Sequence, residues 1–257
     1  MIYVHHHLGL GDHIVCNAII RNLYEIHGSI ILAVRKNNYG SVRQLYKDID
    51  LNFHQVDSDE DCYFYYHKFP GIKKILSKFF YKLPAAGRLF YVSYYKFSFL
   101  EKRLSPFYHK LPAVRIGFEY CSSDWEESLY NQMLMNYSKR FSDFYIERDR
   151  KREEKLEKNL NLPNRFAFCN VLTSSGVNDL KIKTDLPKVF LDAKTDSLFD
   201  WMGVLEKAEE IHTVDSSVFQ LIKQLNLDCG KFFYDTRNSD SSRTKPSFHG
   251  SDWKIVE

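Results

Sequence analysis

Apolar runs alternate with helical patterns along the first part of the chain. In the first helical pattern Ile14, Ala18 and Ile19 lie on one stripe, while the run at 30–34 is continuously apolar, which is typical of a strand buried on both faces. The predicted elements are strands near 2–7, 30–34 and 51–56 and helices near 13–27 and 39–48. This order predicts a βαβαβ unit with a parallel sheet.

The pattern is less regular through the middle of the chain. Residues 57–61 are predicted to form an acidic turn that leads into an aromatic strand at 62–66. Ser122, Ser123 and Asp124 are predicted to cap a helix that runs to about Tyr137, and Glu126, three residues after Ser123, completes a capping box. The other predictions here are mostly helix over 68–115, a strand at 114–118 and a solvated helix over 147–158.

The second half returns to alternating strands and helices and therefore predicts a second α/β unit. Its predicted elements are strands at 166–171, 189–191, 211–214 and 232–234, helices at 197–209 and 217–226, and a polar, loop-like tail at 236–253. A chain of 257 residues has room for two small domains. We place the boundary near 140–150, which divides the chain into domains at 1–145 and 146–257.

The composition is that of an ordinary soluble globular protein, with 44% hydrophobic and 27% charged residues. No run of about 18 apolar residues predicts a membrane span, and the N-terminus lacks signal-peptide features. Five cysteines without CxxC spacing predict reduced thiols and a cytoplasmic location. The three consecutive histidines are interpreted as part of a strand rather than a metal cluster, because only His5 and His7 would share a face.

Positive charge is concentrated in one segment. Residues 68–115 contain eleven Lys or Arg and a single acid, Glu101, although the whole chain has a net charge of only +3. Large aromatic residues interleave with these charges, a combination that suits an anionic membrane surface. The alternative is a solvated basic face over an aromatic core. Single-stranded nucleic acid is not favoured, because the segment carries no RRM, KH or helix-turn-helix signature.

The turn after the first predicted strand carries the first candidate site. Gly9 and Gly11 allow a tight turn and the close approach of a ligand. The dinucleotide fingerprint is excluded because Ile14 stands where its third glycine belongs. Asp12 is either a helix N-cap or a catalytic carboxylate at the mouth of the sheet. His13 beside it is either an alternative base or a first-turn residue that faces solvent.

Polar side chains also cluster at two strand ends in the second half. Asp215, Ser216 and Ser217 open a helix, where hydroxyls and backbone N–H groups favour an anion. Ser174 and Ser175 follow an earlier strand of the same unit. Together these residues are predicted to hold a diphosphate and a sugar, and simple helix capping is the alternative for the Asp-Ser-Ser motif.

The Gly9–Asp12 turn, combined with the late motif Glu209–Ser217, resembles the GT-B-fold glycosyltransferases and in outline the heptosyltransferase-like group. The resemblance implies an α/β fold of two Rossmann-like domains that face a cleft. In that arrangement residues 1–145 lie on the acceptor side, and residues 146–257 bind a nucleotide-sugar donor.

The same resemblance implies roles for individual residues. The family's proposed base corresponds to Asp12, and its donor contacts correspond to Asp215, Ser216 and Ser217. Gly9, Gly11, Ser174 and Ser175 complete the predicted donor site, and His13 is the second catalytic candidate.

The implied reaction is a single displacement at the anomeric carbon, in which Asp12 takes the proton of an acceptor hydroxyl. The departing diphosphate is stabilised by hydroxyls and helix N-termini, without a metal or a cofactor. The acceptor is expected to be a glycan or a lipid-linked glycan of polysaccharide biosynthesis, reached at the inner face of a membrane. The alternative is a non-catalytic module of the same fold that binds a nucleotide or a glycan.

Overall fold

A sheet of four parallel strands forms the first part of the molecule. The computed structural model describes residues 1–66, 111–117, 124–236, 248 and 252–256. The strands are β1 (Ile2–His6), β2 (Ile30–Arg35), β3 (Asn52–Val56) and β4 (Ala113–Ile116). They pair in the order β3-β2-β1-β4. All of β1 and almost all of β2 are buried, as expected for inner strands of a parallel sheet.

Short helices connect these strands. They are α1 (Leu10–Val15), α2 (Asn17–His27), α3 (Tyr39–Leu45) and α4 (Asp59–Tyr66), followed later in the chain by α5 (Trp125–Gln132) and α6 (Lys139–Ser142). Gly28 ends α2 in the left-handed conformation, with φ of 65°, and its N–H donates to the carbonyl of Tyr24 at 2.8 Å. Glycine adopts this conformation without strain, so the chain passes directly from α2 into β2.

A second parallel sheet has five strands. They are β5 (Ala167–Asn170), β8 (Lys188–Phe190), β9 (Glu210–Val214), β10 (Gly230–Tyr234) and β11 (Trp253–Val256). Their order is β11-β10-β9-β5-β8. A small antiparallel hairpin, β6 (Leu172–Thr173) and β7 (Gly176–Val177), follows β5. The helices of this part are α7 (Arg150–Leu160), a 3-10 turn at Leu198–Trp201, α8 (Met202–Lys207) and α9 (Ser217–Ile222).

A buried ionic network joins the helices before residue 145 to α9. The Glu126 carboxylate on α5 accepts from Lys223 Nζ at 2.8 Å and also pairs with Arg140 of α6. Arg140 Nη2 donates to Gln220 Oε1 on α9 at 2.6 Å. The side chains of Glu126, Arg140 and Lys223 are fully buried. Removing one member of such a buried cluster leaves a buried charge without its partner, which strongly destabilises the folded protein.

In each sheet the strand order reverses at one place. In the first sheet this switch point lies between β1 and β4, and in the second it lies between β5 and β9. Ligands of open α/β sheets bind outside the carboxyl ends of the strands at such points. The candidate motifs around Gly9 and Asp215 follow β1 and β9, so each lies at a switch point.

The predicted α/β class with parallel sheets in both halves of the chain is confirmed by these topologies. The division at residue 145 stays a prediction. Within the described part of the chain, no helix is long and apolar enough to span a membrane. The basic segment 68–115 lies outside the described residues except at 111–115.

Two local predictions are wrong. Residues 62–66 belong to α4 rather than to a strand, and the buried residues Cys62 and Tyr66 stand four apart, which is helical spacing. Asp61 Oδ2 accepts from the backbone N–H groups of Asp57 and Ser58, so the acidic turn is the helix start. The helix predicted to run to about Tyr137 ends at Gln132, and within the cap predicted at 122–124 it is the Asp124 carboxylate that accepts from the N–H of Glu127 at 3.2 Å.

Two segment boundaries also differ. The helix expected over 197–209 divides into the 3-10 turn and α8, with Ser197 capping the turn through the N–H of Phe199. The tail predicted as loop-like over 236–253 is followed by β11, a strand that was not predicted and that pairs with β10. β11 is short and at the sheet edge, and four residues carry too little alternation to be read from the sequence.

Candidate functional site

The first candidate loop connects β1 to α1 at the first switch point. Gly9 is the N-cap of α1, in extended conformation, and no side chain caps the helix. Asp12 is the third residue of α1, so the expectation that it is the N-cap is wrong. The reason is the early helix start, since α1 begins at Leu10 and places Asp12 within its first turn.

The Asp12 side chain folds back over Gly9. A Cβ added at Gly9 would lie 2.5 Å from Asp12 Oδ2, so a larger residue at this position would displace the carboxylate. Asp12 is half-buried. Burial raises the pKa of Asp12 to about 6, while the charges of His7 and Arg35 act in the opposite direction. A carboxylate of this strength holds a proton more firmly than an ordinary Asp, as a general base at neutral pH must.

A second carboxylate, that of Asp59 at the start of α4, influences Asp12 through its charge. Asp59 Oδ1 is 3.0 Å from His5 Nε2, and His5 is fully buried in β1. The hydrogen bond from His5 keeps the pKa of Asp59 below its usual value, and the negative charge of Asp59 raises the pKa of Asp12. The two carboxylates therefore differ in proton affinity, and Asp12 is the one suited to accept a proton.

His13 does not face solvent, contrary to one of the two expectations for it. Its ring is fully buried and contacts the ring of His6 edge-on at 4.3 Å between centroids. Neither ring nitrogen of His13 has a hydrogen-bond partner, and His6 Nε2 also has none. Burial lowers the pKa of His13 well below its usual value. A ring enclosed in this way has no path to a substrate hydroxyl, so Asp12 is the stronger of the two candidate bases.

The second candidate loop follows β9 at the other switch point. Ser216 is the N-cap of α9, and its Oγ accepts from the N–H of Phe219 at 3.4 Å. The same hydroxyl donates to the carbonyl of Val214 at 3.2 Å and accepts from Asn170 Nδ2 at 2.8 Å. Its hydrogen-bonding capacity is used within the protein, so capping explains Ser216.

Ser217, the next residue, differs from Ser216. It is half-buried, and its hydroxyl makes no hydrogen bond to any residue in the described ranges. Asp215 is also half-buried and stands at the carboxyl end of β9. Of the two serines, the one whose side chain this loop offers to a ligand is therefore Ser217 rather than Ser216.

Asn170, which contacts this loop, is a residue that the sequence did not indicate. It ends β5, is fully buried, and its amide donates to Thr213 Oγ1 at 3.1 Å as well as to Ser216. Its Oδ1 accepts from the N–H of Leu172 at 3.1 Å. Asn170 thus ties the ends of β5 and β9 together at the switch point. The signal in the sequence was a lone amide at the end of an apolar strand.

Ser174 and Ser175 lie at the exposed tip of the β6–β7 hairpin. Ser175 Oγ is 2.8 Å from Thr173 Oγ1, and Gly176 takes a positive φ of 126° to close the turn. Within the described residues no hydrogen bond links Ser174 or Ser175 to the 215–217 loop. The structure therefore gives these two serines a turn geometry and does not join them to the rest of the predicted donor site.

The two candidate loops are in contact. A Cβ added at Gly11 would lie 3.6 Å from Cα and 3.8 Å from N of Ser217, and 3.4 Å from Cγ of Gln220. The first turn of α1 therefore packs on the first turn of α9. The absence of a side chain at Gly11 permits this close approach. The residue before Asp12 therefore contacts the N-terminus of α9, where Ser217 lies.

In the described ranges, no group of three or more His, Cys, Asp or Glu side chains is placed to hold a metal ion.

Comparison with known proteins gives few matches. No family model matches the chain, and no curated protein matches it. Among solved structures, it is similar to the crystal structure of the glycosyl transferase family 9 from Veillonella parvula DSM 2008, with a TM-score of 0.49 and 12% sequence identity. The match covers 99% of this chain and 86% of that chain.

Proposed function

We propose that the protein transfers a sugar from a nucleotide-sugar donor to a hydroxyl of an acceptor, with Asp12 as the general base. The observation that carries the proposal is the contact between the two switch-point segments, in which Gly11 packs on Ser217 and the next residue of α1, Asp12, carries a half-buried carboxyl of raised pKa. A transferase of two substrates needs a proton acceptor on one side and a leaving-group site on the other, within reach of each other.

The proposed step is a single displacement. The acceptor oxygen forms a bond to the anomeric carbon while the bond between that carbon and the donor's diphosphate oxygen breaks. The acceptor proton moves to Asp12, and the electron pair of the broken bond leaves with the diphosphate. Ser217 and the loop around Asp215 are proposed to contact the donor, with residues 1–145 on the acceptor side and 146–257 on the donor side. Polysaccharide biosynthesis is the process that such a reaction serves.

Replacing Asp12 by Asn tests the proposal directly. The amide keeps the shape of the side chain but accepts no proton, so transfer is expected to fall about 10²–10⁴-fold. Donor affinity, measured by calorimetry with nucleoside diphosphates and their sugars, is expected to stay close to that of the wild type. An Asn variant that transfers sugar at the full rate would contradict the role of Asp12.

The second candidate function is a non-catalytic module that binds a nucleotide or glycan. It is favoured by the second loop, whose Ser216 and Asn170 are occupied by structural hydrogen bonds. Turnover separates the two functions. Wild-type protein that binds a nucleoside diphosphate but releases no sugar from any sugar nucleotide, with or without an acceptor, would favour the module.

The acceptor is proposed to be a glycan or lipid-linked glycan at an anionic surface, reached through the basic residues of 68–115. This rests on the sequence alone, eleven basic residues against one acid. Each Lys or Arg near an anionic bilayer contributes about 1 kcal/mol. Replacing Lys73, Lys74, Lys78 and Lys82 by Glu is expected to abolish sedimentation with anionic vesicles. Wild-type protein that does not sediment with them at low salt would contradict the membrane proposal.

A further inference from the structure

The Gln220 side chain lies between a buried arginine and the first turn of α1. Gln220 belongs to α9 and is only 3% exposed. Its Oε1 accepts from Nη2 of Arg140 at 2.6 Å, and a Cβ added at Gly11 would lie 3.4 Å from its Cγ. Gln220 therefore connects the buried ionic network to the contact between the two candidate segments.

The network holds more positive charge than its carboxylate needs. Nζ of Lys223 lies 2.9 and 2.8 Å from the two oxygens of Glu126, and the Tyr137 hydroxyl donates to the same carboxylate at 2.7 Å. Arg140 pairs with Glu126 as well, so two buried cations share one buried carboxylate. Burying a charge is costly unless it is fully compensated. Neutralising Glu126 does not by itself explain why a second cation is buried here.

Arg140 differs from Lys223 in what else it reaches. Its guanidinium presents N–H groups in a rigid planar fork, whereas a lysine ammonium is a compact point charge. Arg140 uses this fork to pair with Glu126 on α5 and to donate to Gln220 on α9. The Gln220 side chain is thus fixed twice, by the hydrogen bond at Oε1 and by its packing on Gly11 at Cγ.

The Gly11 contact sets the distance between the two candidate segments. Gly11 directly precedes Asp12, and a Cβ at Gly11 would also lie 3.6 Å from Cα of Ser217. The spacing of α1 and α9 at this point therefore determines how far the Asp12 segment stands from the Ser217 segment. Misplacing reacting groups by about 1 Å can lower a rate about 100-fold.

We propose that Gln220 is a positioning residue for the transfer reaction, which holds α9 at a fixed distance from α1 through its hydrogen bond to Arg140. The inference rests on the proposed function, because it assigns Gln220 a part in joining the two halves of that site. When the bond to Arg140 is lost, the side chain leaves Gly11 and the two segments separate. The second segment itself stays intact, since Ser216 remains bonded to Asn170.

Three variants separate positioning from stability. Gln220→Met fills a similar space but accepts no hydrogen bond, so it releases Arg140 from α9. Gln220→Glu accepts the same bond and adds the carboxylate that the second cation lacks, so it is expected to behave like the wild type. Lys223→Met is the matched control, because it breaks the network on the same helix and leaves the bonds of Arg140 to Glu126 and Gln220 in place.

The first readout is the nuclear Overhauser effect between the α-protons of Gly11 and Ser217, measured on the full chain. The wild type is expected to show this effect, because the two backbones are in contact. It is expected to weaken in Gln220→Met and to persist in Gln220→Glu and Lys223→Met. Arg140→Lys, which keeps the charge and loses the fork, is also expected to weaken it and serves if Gln220→Met does not fold. An unchanged effect in whichever of these two variants folds would overturn the inference.

Kinetics provide the second readout. In Gln220→Met kcat for transfer is expected to fall about 10–100-fold with the donor KM unchanged, because the spacing changes and the proposed donor contacts do not. Gln220→Glu and Lys223→Met are expected to keep the wild-type kcat. Urea unfolding of each variant supplies its stability, and a kcat that simply follows stability across the three variants would contradict a positioning role.

The two readouts together distinguish the inference from the proposed function. A weakened Overhauser effect in Gln220→Met, without any sugar transfer by the wild type, would contradict the proposed function and leave the spacing role of Gln220 intact. A weakened effect with an unchanged kcat would overturn the role of Gln220 in the reaction.

Discussion

The two switch points use polar residues in opposite ways. Around β1 the first loop leaves its helix without a side-chain cap and encloses a carboxylate whose pKa is raised by burial. Around β9 the second loop caps its helix with Ser216 and fastens that residue to Asn170. The first loop thus keeps a carboxyl group at some cost in stability. The second loop uses its polar side chains in hydrogen bonds that make it rigid. The proposed function requires this difference, with a base on one side and a fixed binding surface on the other.

Breaking the buried network is expected to give the largest effect on the rigid side. Glu126→Gln leaves Arg140 and Lys223 buried without their carboxylate, which is expected to lower the free energy of unfolding by about 3–5 kcal/mol. Urea unfolding measures the loss. Glu127→Gln, an exposed neighbour on the same helix, is the matched control and is expected to stay within about 0.5 kcal/mol of the wild type. Equal losses in the two variants would contradict the importance of the network.

Acid is expected to weaken the reactive side next. Burial lowers the pKa of His6 to about 4 from 6.5, so the unfolded chain binds the proton first. Stability is therefore present above pH 6.5 and is lost as the pH falls toward 4, by about 2 kcal/mol for His6 between pH 7 and pH 5. Burial also lowers the pKa of His13. His13→Phe, which keeps a buried ring without nitrogens, is therefore expected to lose less unfolding free energy than the wild type between pH 7 and pH 5. The midpoint of urea unfolding at both pH values measures this loss. Identical losses in the wild type and in His13→Phe would contradict the prediction.

Asp12 acts with the opposite sign. Its folded pKa of about 6 lies above the ordinary 3.8, so its contribution to stability is present at low pH and is lost as the pH rises through 6. Replacing Asp12 by Asn removes this stabilisation at low pH. As the pH falls, the free energy of unfolding is therefore expected to drop more steeply in Asp12→Asn than in the wild type. A shallower drop in the variant would show that burial does not raise the pKa of the Asp12 carboxyl.

Adjacent serines provide the smallest but sharpest comparison. Ser216→Ala removes the cap of α9 and the partner of Asn170, and is expected to cost about 1–2 kcal/mol of stability. Ser217→Ala removes a hydroxyl without a hydrogen bond in the described residues, and is expected to cost less than about 0.5 kcal/mol. The opposite order is expected for nucleotide affinity, which should fall more in Ser217→Ala than in Ser216→Ala. Thermal melts with and without nucleoside diphosphates measure both, and an affinity that falls only in Ser216→Ala would contradict the assignment.

The sequence predicted the sheets better than the contacts within the site. The apolar run at 30–34 is long enough and continuous enough to define a buried strand, and β2 occupies it. The aromatic residues at 62–66 have no such pattern, and only the fold shows that Cys62 and Tyr66 face one side of a helix. The local sequence pattern was enough to select Asp12 and Ser216 as candidates at the ends of strands. It did not indicate Asn170 or the Arg140 side chain that holds Gln220, because these partners are distant in the chain and meet only in the fold.

The pH dependence of sugar transfer tests the central claim most directly. If Asp12 is the base, kcat/KM measured from about pH 4 to about pH 9 falls tenfold per unit below an apparent pKa of about 6, because only the ionised carboxylate accepts the acceptor's proton. This acid limb is expected to be absent from the residual activity of Asp12→Asn. An acid limb that persists unchanged in the Asn variant would show that another group takes the proton.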